Sequence, residues 1–389
     1  MPNVYLDWAA TTVPDPDILN AMSETAAAFF GNPSSLHAEG RLAAGLLKDA
    51  RERCAAALGV KPDSIVFTAG GSESNAIALL SVLRRRGRCR IVTTEIEHAS
   101  AYETAVTLRS LGFEVSLVPP EPDGRVSVRK IERELTDDTV MVSCMIVNNE
   151  TGAIQPVEEI GAMLADRTLR GGRKIHFHCD GVQAVGKIPI RLASIGADTV
   201  SISAHKLNGP RGAGILYVKR RFDVLTPGGG QESGMRSGTE NLPAVHGMSI
   251  ALERAAGAVL ERLSHSRELE RFLVERLTAI PGCTLLPESR RGLPDSFSPY
   301  IVSAAFPPIP GEVLVRIMSD RGFSISTGSA CSAGKRRRTR VVTAMGVPED
   351  TAFSSIRVSF GHSTTLEELG RFCDALERET AALRREVHA

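Results

Sequence analysis

The chain has 389 residues, enough to bury a large core and to form two domains rather than one. Lysine plus arginine number 46 and aspartate plus glutamate 45, so the net charge of +1 argues against binding nucleic acid or a membrane surface through overall charge and leaves small molecules as the expected substrates. The seven cysteines are scattered, odd in number and without a C-x-x-C pair, which argues against a disulfide framework or a metal centre and points to a reducing, cytoplasmic setting. The first residues have no secretory pattern, and no apolar run is long enough to span a bilayer.

In chain order, Tyr5 to Thr12 followed by Pro14 and Pro16 reads as an extended arm, because the prolines forbid an early helix. A helical pattern runs from Asp17 to Phe30 and stops at Gly31-Asn32-Pro33-Ser34-Ser35; a second, from Ser35 to Leu58, repeats Leu42, Leu46, Leu47 and Ala50 at helical spacing. Ile65-Val66-Phe67-Thr68 is a strand, then Ala69-Gly70-Gly71-Ser72-Glu73-Ser74-Asn75 opens a helix that continues through Leu83. Strand, glycine turn and helix make a cup for an anion, although a simple turn capped by Ser72 fits the same residues. Neither a Walker motif nor G-x-G-x-x-G is present there.

Further strands are predicted at 90–94, 114–118, 139–145, 175–179, 199–202 and 214–218. With helices between them they form an α/β, mostly parallel seven-stranded sheet, whose ligands gather beyond the carboxyl ends of the strands. Two strand ends carry the chemistry. Thr199-Val200-Ser201-Ile202 runs into Ser203-Ala204-His205-Lys206, and a lysine held at a buried strand end can act as a neutral amine that forms a Schiff base. Ile175-His176-Phe177-His178-Cys179 runs into Asp180, with Gln183 three residues on. A lysine for an aldehyde and a carboxylate for a pyridine nitrogen are what pyridoxal phosphate requires, whereas Asp180 alone also fits a helix cap. His98 and Asn149, after the strands at 90–94 and 139–145, are candidates to stack on a cofactor ring and to donate to a cofactor oxygen or a substrate carboxylate.

The segment from Pro227 to Thr239 is too rich in glycine for regular structure and reads as a long functional loop. One long helical pattern from Ala244 to Ala279 leads away from the sheet. Residues 16–255 are assigned to the large cofactor-binding domain, and 1–15 with 256–389 to a smaller α+β domain. The smaller domain has predicted strands at 284–286, 300–306, 323–326 and 356–360 and helices at 312–320 and 366–385. Within it, Gly328-Ser329-Ala330-Cys331-Ser332-Ala333-Gly334 surrounds Cys331 with small, polar neighbours that suit an accessible, nucleophilic thiol. The basic run from Lys335 to Arg340 is either a solvated segment or a source of cations that favour thiolate and attract an acidic partner.

Over essentially its whole length the chain resembles the cysteine desulfurases of the NifS/IscS type, in the class-V aminotransferase family. The residues that carry the likeness are Tyr5-Leu6-Asp7, Gly31-Asn32-Pro33-Ser34-Ser35, Glu97-His98, Val147-Asn148-Asn149-Glu150, Ser203-Ala204-His205-Lys206, Gly228-Gly229-Gly230-Gln231-Glu232, Arg236-Ser237-Gly238-Thr239, Gly328-Ser329-Ala330-Cys331 and Ser354-Ser355-Ile356-Arg357. The resemblance implies a fold-type-I homodimer that binds pyridoxal 5'-phosphate on Lys206, with Asp180 on the ring nitrogen, Gln183 on the ring hydroxyl and His98 stacked on the ring. It places Gly71, Ser72, Ser203 and His205 at the phosphate, with Thr239 reaching it from the other subunit. Asn149 and Arg357 match positions that hold the cofactor face and the substrate carboxylate, and Cys331 matches the cysteine that takes the sulfur of L-cysteine as a persulfide and leaves alanine. The expected acceptor is an iron-sulfur scaffold or a tRNA-thiolation enzyme. Trp8 and Gly71-Ser72 depart conservatively from the family's usual residues, whereas the departures at Asn208, His362 and Pro307-Pro308-Ile309-Pro310 bear on substrate preference and docking more than on the cofactor.

Overall fold

The computed structural model describes residues 3–328 and 340–387. The strands are β1 (Val4–Tyr5), β2 (Ile65–Thr68), β3 (Arg90–Thr94), β4 (Glu114–Val118), β5 (Thr139–Ser143), β6 (His176–Asp180), β7 (Thr199–Ser203), β8 (Gly214–Val218), β9 (Thr284–Leu285), β10 (Ile301–Ala305), β11 (Phe323–Ser324) and β12 (Ser355–Ser359). The helices are α1 (Pro16–Ala28), α2 (Ala38–Leu58), α3 (Gly71–Leu80), α4 (Ala99–Ser110), α5 (Val128–Arg133), α6 (Val157–Leu169), α7 (Leu192–Ile195), α8 (Leu242–Gly257), α9 (Val259–Ala279), α10 (Gly311–Asp320), α11 (Arg340–Ala344), α12 (Glu349–Phe353) and α13 (Leu366–Val387).

The main sheet has seven strands in the order β2-β8-β7-β6-β5-β3-β4. It is parallel except at β8, which runs antiparallel to both β2 and β7. The short link from Ser203 to Gly214 dictates that exception, since a parallel return needs a longer crossover. Alternation along the strands gives the sheet two apolar faces. Phe177 and Cys179 of β6 join a core with Val142, Val200 and α6, beside one that packs Ile202 and Ile215 under α2 and α8. On the opposite face, Ile91 and Met141 pack with Ala101 and Leu108 of α4. Val66 and Leu216 pack with Ala78 of α3.

A separate cluster gathers Val4 and Leu6 with Leu269, Leu273, Val302, Phe306, Ile356 and Phe372. It is built on the antiparallel sheet β12-β10-β9, and β1 pairs in parallel with β11. The arm at the start of the chain therefore belongs, by packing, with residues more than 250 positions away.

Three expectations change. The helical pattern from 244 to 279 is two helices that meet at Ala258, because the Ala, Leu, Glu and Arg periodicity continues across a bend that breaks the hydrogen-bond ladder. The third helix starts at Gly71 with Gly70 as its cap, so Ser72 is inside the first turn and is not the cap. The glycine-rich loop contains a 3-10 turn, Gln231–Gly234, held by Glu232. The buried carboxylate of Glu232 accepts from the Phe67 amide (2.8 Å) and from both terminal nitrogens of Arg51 (2.7 and 2.8 Å), with Glu232 and Ser233 at φ of +48° and +56°. The six described cysteines are free, and among the described residues no helix is long and apolar enough to cross a membrane.

Candidate active site

β6 and β7 run side by side in parallel, with Asp180 opposite Ser201, so Asp180 and the Ser203–Lys206 turn emerge at the same edge of the sheet. Lys206 Nζ donates to the carbonyls of Ala9 (2.5 Å) and Ala10 (2.6 Å) on the N-terminal arm. Asp180 is buried; its Oδ1 accepts from the Val182 amide (3.0 Å) and its Oδ2 from Asn75 Nδ2 (2.8 Å). The capping alternative for Asp180 survives only as the bond to Val182, because no helix starts there.

Gln183 Nε2 also donates to the Ala9 carbonyl (2.9 Å), while its Oε1 accepts from Lys187 Nζ (2.7 Å). Burial pushes the Lys187 ammonium down to about 7, with Lys206 and Arg357 adding repulsion. His98 caps α4: its Nδ1 accepts from the Ser100 amide (3.2 Å) and pairs with Ser100 Oγ (2.9 Å). Burial lowers its pKa, so the ring is neutral at physiological pH. Behind it, burial raises the Glu97 carboxyl to about 7, although Glu97 Oε1 accepts from Thr94 Oγ1 and the Met145 amide, each at 2.9 Å. His205 Nδ1 lies 3.1 Å from Thr11 Oγ1, and burial with the charges of Lys206 and Lys187 pushes it down to about 3.

Arg357 sits in the middle of β12, 2% exposed. Its guanidinium donates to the carbonyls of Asn149 (2.8 Å) and Gly328 (3.2 Å) and to Asp7 Oδ1 (2.8 Å), and its Nε is buried without a partner. Asn149 and Arg357 are thus brought together, and the arm residue Asp7 joins them. The loop of Asn149 is shaped by Asn148, whose Oδ1 caps the amides of Glu150 and Thr151 at 2.9 Å. From below, Arg290 Nη1 donates to the Thr151 carbonyl (3.0 Å), and the rest of that fully buried guanidinium grips Glu270 Oε1 (2.6 and 2.9 Å) and the Ser298 carbonyl (2.8 Å).

Gly70 and Gly71 lie against Ser203. A Cβ on Gly71 would come within 2.6 Å of Val182 Cγ2 and 3.8 Å of Ser203 Cβ, and one on Gly214 within 2.5 Å of Gly70 Cα. This packing fixes the start of α3 beside the lysine turn and aims its first-turn amides at the same edge. Ser72 is exposed in that turn. Thr239 is also exposed, and its side chain makes no hydrogen bond among the described residues; its loop is tied to α3 by Arg236 Nε and Glu73 Oε1 (3.3 Å). Cys331 and the basic residues Lys335 to Arg338 lie outside the described residues. The last member of that run, Arg340, stacks 3.9 Å over Tyr102 and donates to the Glu97 carbonyl.

Three features fit pyridoxal phosphate: an amine and a carboxylate at neighbouring strand ends, a neutral imidazole at the start of α4, and a helix N-terminus packed through glycines beside the lysine turn, where its amides suit an anion. The model for aminotransferase class-V matches residues 4–372. The chain belongs to the class-V aminotransferase family. Within that family it is 40% identical, over 96% of either chain, to a NifS/IcsS protein homolog of Lactobacillus delbrueckii subsp. bulgaricus. It is 36% identical to cysteine desulfurase IscS of Dictyoglomus turgidum, over 98% of this chain and 95% of that one. A solved NifS-like protein superposes with a TM-score of 0.88 at 34% identity, over 97% of this chain and 99% of its own. The cofactor of this class-V enzyme is pyridoxal 5'-phosphate.

Sequence reasoning missed Asn75, His178, Lys187, Asp7 and Arg290. For His178 a signal existed: in His176-Phe177-His178-Cys179-Asp180 the polar residues alternate, which puts both histidines on the face that carries Asp180.

Proposed function

We propose that the enzyme is a cysteine desulfurase that converts L-cysteine to L-alanine, with the sulfur held as a persulfide on Cys331 before it passes to an acceptor protein. The observation that carries the reading is the pairing of β6 with β7, which sets Asp180 beside the lysine turn. When bound, pyridoxal phosphate supplies an aldehyde for an amino group and an electron sink for the α-carbon. Lys206 holds that aldehyde and afterwards moves the α-proton of the substrate through its freed amine. Asp180 pairs with the ring nitrogen, Gln183 with the ring hydroxyl, and Gly71, Ser72, Ser203 and His205 with the phosphate. Arg357 binds the substrate carboxylate and Asn149 steadies it, both already joined at 2.8 Å. The Cys331 thiolate attacks the substrate sulfur, the bond from that sulfur to Cβ breaks with its electron pair left on carbon, and the carbon fragment takes up one proton at Cβ and regains one at the α-carbon as alanine while sulfur remains on Cys331. His98, whose ring is neutral through burial, carries protons in these steps.

The working form is a homodimer in which Thr239 of the partner subunit completes the phosphate site. In support, Phe30, Leu36 and Leu42 are 76%, 89% and 59% exposed, and a cavity of about 500 Å³ lies between Pro33, Arg51 and the Gly229–Ser233 loop. Residues 16–255 form the cofactor domain and 1–15 with 256–389 the smaller one, in a cytoplasmic enzyme serving iron-sulfur assembly or tRNA thiolation. The test is to incubate holoenzyme with L-cysteine and a thiol reductant and to measure alanine and sulfide together. Equimolar products from wild type, lost in Cys331→Ser, are expected; neither product from wild-type holoenzyme overturns the reading.

A further inference from the structure

A chain of hydrogen bonds runs through the sheet behind the site. His176 Nε2 lies 2.9 Å from Thr199 Oγ1, which lies 2.9 Å from His178 Nδ1; His178 Nε2 lies 3.0 Å from Asn75 Oδ1. At Asn75 the chain divides: Nδ2 donates to Asp180 Oδ2 (2.8 Å) and to Ser100 Oγ (2.9 Å), and Ser100 Oγ reaches His98 Nδ1 at 2.9 Å. Asn75 and His178 are 0% exposed.

Charge and valence set the direction of every link. Asn75 Nδ2 donates to both Asp180 Oδ2 and Ser100 Oγ, so its Oδ1 is left facing His178 as an acceptor. His178 is neutral, because burial pushes it down to about 3, and its one ring proton therefore sits on Nε2 to meet Asn75 Oδ1. His178 Nδ1 then accepts from the Thr199 hydroxyl, whose oxygen is left to accept from His176 Nε2. On the other branch, Ser100 Oγ accepts the second Asn75 proton and sends its own to His98 Nδ1, which the Ser100 amide also caps. The His98 ring proton is left on Nε2.

We propose that Asn75 is a positioning residue of the desulfurase reaction: its one amide joins Asp180 and His98 into a single hydrogen-bonded unit and, through Ser100 Oγ, reinforces the His98 tautomer that the Ser100 amide also favours, with Nε2 as the proton carrier. This rests on the reading of the site given above. Asn75 reaches both groups because it sits one turn into α3, over the face of β6 that carries His178 and Asp180. A buried amide serving two reacting groups at once makes each depend on the other, and alanine at this position leaves Asp180 and His178 short of a partner.

The test compares wild-type holoenzyme with Asn75→Ala and His178→Gln, whose amide still offers an N–H to Asn75. For Asn75→Ala we expect kcat to fall about ten- to a hundredfold, KM for L-cysteine to stay within about threefold, and the ratio of the bound cofactor's absorption bands to change. His178→Gln is expected to keep both close to wild type. An Asn75→Ala enzyme with unchanged spectrum and kcat within about twofold of wild type overturns the proposal. Independently of any variant or substrate, nitrogen NMR of histidine-labelled wild-type protein should show both His98 and His178 protonated on Nε2; either ring protonated on Nδ1 overturns it. Absence of alanine from wild type would instead strike at the desulfurase reading, and the tautomers would still be read.

Discussion

Replacing Arg290 with methionine should destabilise the protein strongly, although Ser289-Arg290-Arg291-Gly292 looks like an exposed charged turn. The guanidinium is 2% exposed, stacks 5.0 Å from the Phe297 ring, and makes four hydrogen bonds to Glu270, Thr151 and Ser298. Removing one partner of a buried pair strands the other charge, at a cost of about 3–5 kcal/mol. Arg267 still holds Glu270 Oε2 at 2.8 Å from a more exposed position, which places the expected loss near the lower end, about 3 kcal/mol. The assay is urea unfolding followed by near-ultraviolet circular dichroism, with Arg290→Met, Glu270→Leu and the double variant compared. The double variant should recover more than half of the loss, because an apolar pair of similar volume avoids the stranded charge. Since Arg290 also supports the Thr151 carbonyl beside Asn149, KM for L-cysteine should rise in Arg290→Met. A loss below about 1 kcal/mol, or a double variant no better than the single one, would refute the reasoning.

Acid should destabilise the fold through His178. Its pKa is about 3 in the folded protein against about 6.5 unfolded, so the unfolded chain binds more protons between those values, and stability is lost as pH falls from 6.5 toward 3. The contribution is on the order of a few kcal/mol, and thermal midpoints measured from pH 7 to 4 should fall less steeply in His178→Gln; equal slopes would contradict it. Gly214→Ala would set its Cβ 2.5 Å from Gly70 Cα and 2.8 Å from Thr68 Oγ1, so backbone at the start of α3 must shift. Cofactor affinity, measured by absorbance titration of apoprotein, should fall roughly tenfold or more, and an unchanged Kd would show that this edge does not hold the phosphate.

What was legible in the sequence follows physical rules of short range. The seven strands of the main sheet read clearly because each buried strand is a compact apolar run bounded by turns, and Lys206 and Asp180 stood out because they end such runs. The bend at Ala258 was invisible, since the side-chain period continues through it and only the backbone ladder records the break. Arg290 was illegible because its burial depends on Glu270, 20 residues earlier on α9. The turn at Gln231–Gly234 was hidden by its glycines, since Arg51 and the Phe67 amide, far back in the chain, hold Glu232 in place.

The arm at the start of the chain shows how such distant contacts assemble the site. Its backbone carbonyls at Ala9 and Ala10 receive Lys206, the Ala9 carbonyl also receives Gln183, and Asp7 receives Arg357. At the same time β1 is paired with β11 and Leu6 is packed in the cluster of the smaller sheet. A strand of two residues contributes little pairing energy of its own, so its place is set by the burial of Val4 and Leu6 at 2% and 0% exposure. That burial anchors one end of the arm on the sheet that carries Arg357, while its carbonyls meet the lysine turn of the larger sheet. The distance between the Lys206 amine and the Arg357 guanidinium is therefore set by packed apolar residues on the arm. No local motif around either residue encodes that spacing.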